Sequence, residues 1–585
     1  MNQVEILNEL AKRRGFFFPA NNSYGGIAGF YVYGPVGSAL KNNLESSWRK
    51  KFVIGEGNFE ISTPTIAPSA VFQASGHIDG FSDLLIECTN CDISYRADHL
   101  LEDQHESINI SDFSQNTANK IISENPLICP ACNEQLDSKT LKEFNLMFST
   151  QIGPGSRTRG YLRPETAQGI FTEFPRLSSY SREKLPFGVA QIGTSYRNEI
   201  SPRKGLTRLR EFTQAELELF IHPDQLAPSD NISNSLKLPL LSYENQQKNI
   251  NSVNLLTAKE ALESNIISNN WIAHYLELAL EWYISIGIDI SRFRYRQHTK
   301  TELAHYASDC WDAETEINGE WIEIAGFAHR GNYDLVKHGQ HSNDDFTLFH
   351  PYDEPQKKTI IDLNPNMGYF GPTFGESLPN ILSKLNELAL DHPESFDHDE
   401  IQLKIDGTVY KIPSKHVQLS TKESIVSGER IIPHVIEPSF GIDRTIYSIL
   451  IHTYHEDIVN EESRKRLSLP PSISPIFVGV FPLFNKDGMD TIAYTTVSTL
   501  RQLGFSVSHD DSGSIGKRYR RQDEVGTPFC VTIDHQTTLD NTATLRDRDS
   551  AQQKRIDLNS IPQLLTGLKK GTLYFEDIDS SIIVT

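Results

Sequence analysis

The stretch Phe187–Phe220, FGVAQIGTSYRNEISPRKGLTRLREFTQAELELF, alternates so regularly that it reads as two strands of a sheet and little else. Successive side chains of a strand point to opposite faces. In the first strand Ala190, Ile192 and Tyr196 fall on one face, and Gln191, Gly193, Ser195, Arg197 and Glu199 on the other. Ile200–Gly205, with Pro202 and Gly205, suits a turn. In the return strand Arg208, Arg210, Phe212, Gln214, Glu216 and Glu218 share one parity. Leu209, Thr213, Ala215, Leu217 and Leu219 share the other, with Glu211 as its one charged member. The pattern predicts an apolar back and a front that runs from cationic, through one aromatic ring, to anionic.

Arginines suit phosphate oxygens, a flat ring suits a base, and carboxylates suit an ammonium group. A surface hairpin with scattered ion pairs is the plainer reading of the same charges. The wording of the stretch separates the two. RNEISPRKGL followed by REFTQAELELF resembles the second signature motif of class II aminoacyl-tRNA synthetases, in the version carried by glycyl-tRNA synthetases. The resemblance implies a mixed α/β (α+β) chain: an antiparallel-sheet catalytic domain with insertions, followed by a C-terminal α/β anticodon-binding domain.

Length and composition leave room for this. With 585 residues the chain is too long for one compact domain, and 38% hydrophobic and 22% charged residues are ordinary for a soluble globular protein. No apolar run approaches a membrane span, and MNQVEILNELAKRRG is a charged helical pattern, not a signal peptide, so a cytoplasmic location is the expectation. A formal net charge of −21 confines nucleic-acid binding to a local, salt-sensitive cationic patch.

Taken in order, residues 1–80 carry a helix near Gln3–Arg14 and a second with Leu40, Leu44, Trp48 and Phe52 at a four-residue step, then a strand from Phe59 to Pro64. A long helix followed by a strand ending in proline resembles the first class II motif, which implies a homodimer interface. Residues 81–143 look inserted, with Cys88-Thr-Asn-Cys91 and Cys129-Pro-Ala-Cys132. Two such pairs can close a tetrahedral thiolate site for zinc; four reduced cysteines left from a lost site are the alternative. Between them Tyr95-Arg-Ala-Asp-His99 resembles the family's RADH element, which implies that Arg96 faces the substrate.

Residues 144–229 hold LRPETAQGIF, whose Glu165 the resemblance assigns to the substrate amino group, and the hairpin. Residues 230–300 read as an insertion, a loop over Asp230–Asn254 and a structural helix over Trp271–Ile286. Residues 301–345 carry WIEIA, a strand in which Glu323 points away from Ile322 and Ile324, and Arg330. The resemblance places Glu323 near ATP phosphates and magnesium, and Arg330 near the amino-acid carboxylate. His329 stands where the family more often has Asp or Asn. Residues 346–430 read as a second insertion without chemistry.

Residues 431–455 hold EPSFGIDR, similar to the third class II motif, with Glu437 and Ser439 on one strand face and Arg444 in the first turn of an apolar helix. Residues 456–475 read as a linker, and 476–585 as an alternating α/β unit similar to the anticodon-binding domain shared by several class II synthetases. Within it Lys517, Arg518, Tyr519, Arg520 and Arg521 form a basic helix. Such a run is usually a solvated face; the domain resemblance implies RNA contact.

The resemblance implies ATP- and magnesium-dependent activation of glycine and its transfer to the 3′ end of a tRNA. Arg197, Glu216 and Arg444 are the catalytic expectation. Arg96, Glu165, Phe212, Thr213, Gln214, Ala215, Glu216, Arg330, Glu437, Pro438, Ser439, Phe440 and Gly441 are expected around glycine. Arg197, Asn198, Glu199, Thr207, Arg208, Leu209, Arg210, Glu211, Phe212, Glu323, Ile324, Gly441, Ile442, Asp443 and Arg444 are expected around ATP. The nearest rival is a synthetase for proline or threonine. A rival of another class is a non-catalytic nucleic-acid-binding relative, against which Arg197, Glu216, Glu437 and Arg444 are all present.

Overall fold

The computed structural model describes residues 3–105, 115–155, 158–202, 205–224, 235–300, 302–303, 309–405, 408–459 and 461–579. Residues 203 and 204 of the expected turn, and 230–234 of the expected loop, lie outside that set. The chain forms two compact units, residues 1–346 with 432–585, and residues 347–431.

The first unit is built on a nine-stranded sheet. Its strands in chain order are β1 (Phe59–Glu60), β2 (Phe187–Tyr196), β3 (Glu211–Ile221), β4 (Lys237–Leu241), β5 (Asn254–Thr257), β6 (Phe293–Gln297), β7 (Asp309–Ile317), β8 (Glu320–Gly331) and β9 (His434–Gly441). Across the sheet they run β5-β4-β6-β7-β8-β9-β3-β2-β1. The neighbours are antiparallel except β1 with β2 and β4 with β6.

The expected alternation sets the hairpin register: Gln191 faces Glu216, Ala190 faces Leu217 and Ser195 faces Phe212. The connection is longer than a tight turn, because pairing stops at Tyr196 and resumes at Glu211. The apolar parity enters the core with Ala215, Leu217 and Leu219. Helices α1 (Gln3–Arg14), α2 (Pro35–Trp48), α3 (Asn270–Ser285) and α4 (Ile442–His452) contribute to the same core. Pro35 starts α2 where its missing N–H costs nothing. Its Leu40, Leu44 and Trp48, and Phe52 in the π-helical turn that follows, are all fully buried. Burying each such side chain is worth roughly 1.5–3 kcal/mol. Phe52, Trp282 and Phe327 pack around Phe440 with ring centroids 4.7, 5.5 and 5.6 Å away.

Two stretches differ from the sequence expectation. The Asn/Ser/Gln-rich segment carries strand β4, because Leu238, Leu240 and Leu241 are buried despite their polar surroundings. The expected linker begins as an antiparallel hairpin, β10 (Tyr454–Val459) with β11 (Glu462–Leu467). Its charges are paired within the hairpin and beyond it: Arg464 meets Asp457 on the facing strand and, at 3.6 Å, Asp523.

Residues from 478 onward form a five-stranded sheet of β12 (Val478–Pro482), β13 (Val507–His509), β14 (Phe529–Ile533), β15 (Thr542–Asp547) and β16 (Gln553–Asp557), ordered β13-β12-β14-β15-β16. Helices α5 (Met489–Gln502), α6 (Ile515–Val525) and α7 (Ile561–Lys570) contribute to this layer. Buried Asp523 on α6 takes a bidentate pair from Arg546 at 2.8 and 3.0 Å.

The second unit has its own core of Phe370, Ile381, Leu385, Ile401, Leu403, Ile412 and Val417. It contains an antiparallel ribbon of Leu348–Pro365 with Val417–Ile431, a hairpin of Glu400–Ile405 with Thr408–Pro413, and the helix Leu378–Asp391. No helix among the described residues is long and apolar enough to cross a membrane.

Candidate active site

The polar parity of β3 opens into a cleft on the sheet face opposite the core. Glu165, Arg197, Arg208, Phe212, Gln214, Glu216, Glu323, Arg330, Glu437, Ser439 and Arg444 all line it. Glu199, Thr207, Leu209, Thr213, Ile324, Gly441 and Asp443 complete the expected residues found there.

One end is anionic. Glu216 is 1% exposed. One of its oxygens accepts from Ser439 Oγ and Gln214 Nε2, at 2.8 and 2.9 Å. The other accepts from the backbone N–H of Thr166 at 2.8 Å and from the Thr166 hydroxyl. Glu437 accepts from Arg330 Nη1 at 2.8 Å, and Arg330 grips Asp334 with its other nitrogens at 2.8 and 3.0 Å. Gln168 Nε2 donates to both Glu165 and Asp334, closing a ring of carboxylates and donors.

The carboxyls differ in charge preference. Burial, then the Glu165 carboxylate, raises Glu216 above the ordinary range. Burial pushes Glu437 up to about 8 against the pull of Arg330, with Glu216 and Glu165 adding to the rise. Burial also acts to raise Glu165, but His77 and Arg330 outweigh it and hold that group low. Beneath them Glu218 is fully buried, with both oxygens unpartnered among the described residues, and burial with Glu437 nearby raises it strongly. A carboxylate cluster of this kind is poised to gain charge when an ammonium group enters.

The other end is cationic. Arg197 donates from Nε to the Pro164 carbonyl at 3.2 Å and lies 5.3 Å over the Phe212 ring. Arg444, at the start of α4, donates from Nε to the Thr207 carbonyl at 2.9 Å and from Nη1 to the Glu323 carboxylate at 3.1 Å. Desolvation would raise the Glu323 carboxyl, but the Arg444 and Arg197 guanidiniums outweigh it and pull it down. Arg208 reaches His99 Nδ1 at 3.1 Å. Asp443 fixes α4 to β3: it accepts from the Thr213 N–H at 2.5 Å and from the Tyr33 hydroxyl.

Several expected residues are not where the motif strings suggested. Alternation sends Ala215, Pro438 and Phe440 away from the cleft, Ile442 is buried in the core at the start of α4, and Phe440 is the centre of the aromatic core. Arg96 does not line the cleft; it is paired with Asp83 and Asp98. Arg210 is spent on the backbone carbonyls of Glu199 and Ala28. Asn198 and Glu211 also lie outside the lining. Arg330 is committed to Asp334 and Glu437, so its guanidinium is already engaged by the chain's own carboxylates. Sequence reading missed Thr166, Gln168, His77 and Asp334; the first two stand inside LRPETAQGIF, beside Glu165.

On α6 the basic run is largely spent on the fold. Arg518 is buried and donates to the carbonyls of Asp511 and Gly513 at 2.9 and 2.8 Å. The Tyr519 hydroxyl meets Thr532, and Arg521 pairs with Asp510 at 2.6 Å. Arg520 pairs with Glu462. Lys517 is exposed. Arg518 and Tyr519 therefore cannot present an RNA surface as they stand.

The two CxxC pairs come together. Each makes the same turn: Asp92 and Asn133 adopt positive φ of 56° and 60° and donate to the carbonyls of Cys88 and Cys129. The sulfurs of Cys88 and Cys132 are 3.5 Å apart, and those of Cys91 and Cys129 are 3.6 Å apart. All four lie within 4.8 Å of one another. A tetrahedron of thiolates around zinc has edges of about 3.8 Å, so the donor set fits that ion.

Residues 154–453 match the tRNA synthetase class II core domain (G, H, P, S and T), and residues 478–568 match an anticodon binding domain. The chain is similar in structure to prolyl-tRNA synthetase of Giardia lamblia, with a TM-score of 0.52 and 13% identity over 97% of this chain and 80% of that one. The fold and its cleft are those of a class II tRNA synthetase.

Among curated relatives, glycine–tRNA ligase of Methanothrix thermoacetophila is 45% identical over 99% of both chains. Those of Methanocaldococcus jannaschii and Archaeoglobus fulgidus are 43% and 44% identical, over 96% and 98% of this chain and 98% of each relative. The chain belongs to the glycine–tRNA ligase family.

Proposed function

We propose that the chain is a glycine–tRNA ligase that activates glycine with ATP and transfers it to the 3′ end of a tRNA. The observation that carries the reading is Glu216, buried at the anionic end and held by Thr166, Gln214 and Ser439. A small ammonium-bearing ligand meets Glu216, Glu165 and Glu437 there, and the short Ser439 side chain faces it. Glycine offers no side chain to grip, so selection rests on ammonium contacts and exclusion of bulk. Overpacking a tight site costs about 1–3 kcal/mol.

At the other end Arg197 holds the α-phosphate and the attacking carboxylate. Phe212 and Arg444 bracket the base, and Arg208 meets the outer phosphates. Glu323, beside Arg444, would help hold a magnesium ion brought by ATP, which would supply charge neutralisation at the phosphates. Catalysis in this reading is positioning and electrostatic stabilisation, without a covalent nucleophile. Cys88, Cys91, Cys129 and Cys132 hold zinc as a structural clasp. The same reading includes a cytoplasmic homodimer, and tRNA contact by the C-terminal domain through a surface other than Arg518 and Tyr519.

Charging of a tRNA mixture with labelled glycine in the presence of ATP and Mg²⁺ tests the reading. Acid-precipitable glycine that disappears when ATP is omitted is expected. Absence of charging by folded protein with its homologous tRNA overturns it.

A further inference from the structure

The cleft extends beyond the glycine and ATP contacts along one row of the sheet. Glu216 pairs with Ser439, Ser439 with Gly326, and Gly326 with Asp312. In the next row Glu437 pairs with Ala328 and Ala328 with Cys310. Between Ser439 and Asp312 the floor is therefore Gly326, flanked by Ala328, a shelf two strand spacings wide, roughly 10 Å. His298, Cys310 and Asp312 line its far side.

Among the described residues, nothing requires Gly326 to be glycine. A Cβ there would meet nothing closer among them than Asp312 Oδ1, at 3.9 Å, and the residue does not adopt positive φ. Glycine in a strand interior weakens the strand and often marks the close approach of a ligand. Asp312 is 7% exposed. Its Oδ2 is engaged by His298 Nε2 at 2.9 Å and Arg296 Nη2 at 3.1 Å, while Oδ1 overlooks the shelf.

Resting on the glycine–tRNA ligase reading, we propose that Asp312 receives the ribose hydroxyl at the 3′ end of the acceptor polynucleotide. His298 and Arg296 are its positioning residues, and Gly326 is the floor on which the sugar sits. Three observations favour this ligand. The shelf adjoins the pocket that would hold the activated carboxyl; its acceptor is a fixed carboxylate oxygen; and its floor is cleared of side chains. In the step itself the hydroxyl oxygen bonds to the glycyl carbonyl carbon. The bond from that carbon to the phosphate oxygen breaks, AMP leaves with the electron pair, and the hydroxyl proton passes through Asp312 Oδ1 to the departing phosphate. Burial raises the Asp312 carboxyl above the ordinary aspartate range, against its hydrogen bond to His298, which makes the ionised form a stronger acceptor.

The same nitrogen, sulfur and oxygen atoms of His298, Cys310 and Asp312 lie within 4.8 Å of one another, so a bound metal is the competing account. The test compares glycine-dependent ATP–pyrophosphate exchange with single-turnover transfer from enzyme-bound glycyl-adenylate to tRNA, in Asp312→Asn, His298→Gln and Gly326→Ala. The expected result is a loss in transfer at least tenfold greater than the loss in exchange for Asp312→Asn and Gly326→Ala. His298→Gln, which keeps a donor to Asp312, should fall between these and wild type. If Asp312→Asn does not fold, Gly326→Ala decides, since among the described residues its added methyl makes only an ordinary contact, 3.9 Å from Asp312 Oδ1. Equal loss in both steps, or none in either, overturns the proposal. So does elemental analysis in which Asp312→Asn loses a metal that wild type carries. Wild-type exchange with glycine, run alongside, tests the underlying assignment separately.

Discussion

Glu216 and Ser439 face each other across β3 and β9 and are joined by a 2.8 Å hydrogen bond. The serine holds the carboxylate in place and stays short enough to leave room beside it. Glu216→Ala should raise the KM for glycine at least tenfold, about 1.4 kcal/mol, while the KM for ATP changes little. Equal changes in both constants, measured by exchange kinetics, would place the ammonium elsewhere.

Arg197 lies between the Pro164 carbonyl and the Phe212 ring, with its guanidinium at the cationic end. Arg197→Ala should lower adenylate formation by about 10²–10³, the scale for losing one preorganised electrostatic contact. Circular dichroism should stay as in wild type. Retained exchange activity would remove Arg197 from the phosphate.

The raised Glu437 carboxyl predicts a pH dependence. A group at about 8 in the free protein must lose its proton before it can pair with an ammonium. The KM for glycine should therefore fall as pH rises from 7 toward 8.5, and Glu437→Gln should flatten the profile at a higher KM. The stability effect runs the other way. The folded chain holds this proton more tightly than the unfolded chain, so the contribution is present at low pH and is lost as pH rises from the ordinary carboxylate range through about 8. A KM that is constant over this range in wild type would contradict the assignment.

Much of this site could be read from the order of residues alone. Period-two alternation placed Phe212, Gln214 and Glu216 on one face, and the register agrees. The same rule, applied inside EPSFG, would have removed Pro438 and Phe440 from the pocket; a contiguous motif hides the fact that its alternate residues face opposite ways. The basic run of α6 reads alike whether solvated, RNA-bound or folded inward. What turns Arg518 inward are the carbonyls of Asp511 and Gly513, and no local pattern announces them. Strand β11 was hidden for a similar reason, since Arg464 of ESRKRL is buried against Asp457 and Asp523, partners that the charged string does not announce.

The Asp523–Arg546 pair joins α6 to β15 at two contacts of 2.8 and 3.0 Å, with both side chains buried. Removing one partner of such a pair strands the other charge, so Asp523→Ala should destabilise the C-terminal domain by about 3–5 kcal/mol. Chemical denaturation followed by a probe in that domain checks this. A change below about 1 kcal/mol would mean that water replaces the lost carboxylate.

Replacing Cys88 and Cys129 with Ser should release one metal ion per chain and loosen the core of Leu84, Ile86, Leu100 and Leu101. Elemental analysis of the native protein without zinc would return the four thiols to a vestigial role.

In the proposed enzyme, one cleft binds glycine at its anionic end and ATP at its cationic end. ATP–pyrophosphate exchange on purified protein with Mg²⁺, assayed across the amino acids and without tRNA, tests it most directly. The account predicts exchange with glycine alone. Exchange with another amino acid would contradict the pocket, and no exchange with any amino acid would contradict the enzyme.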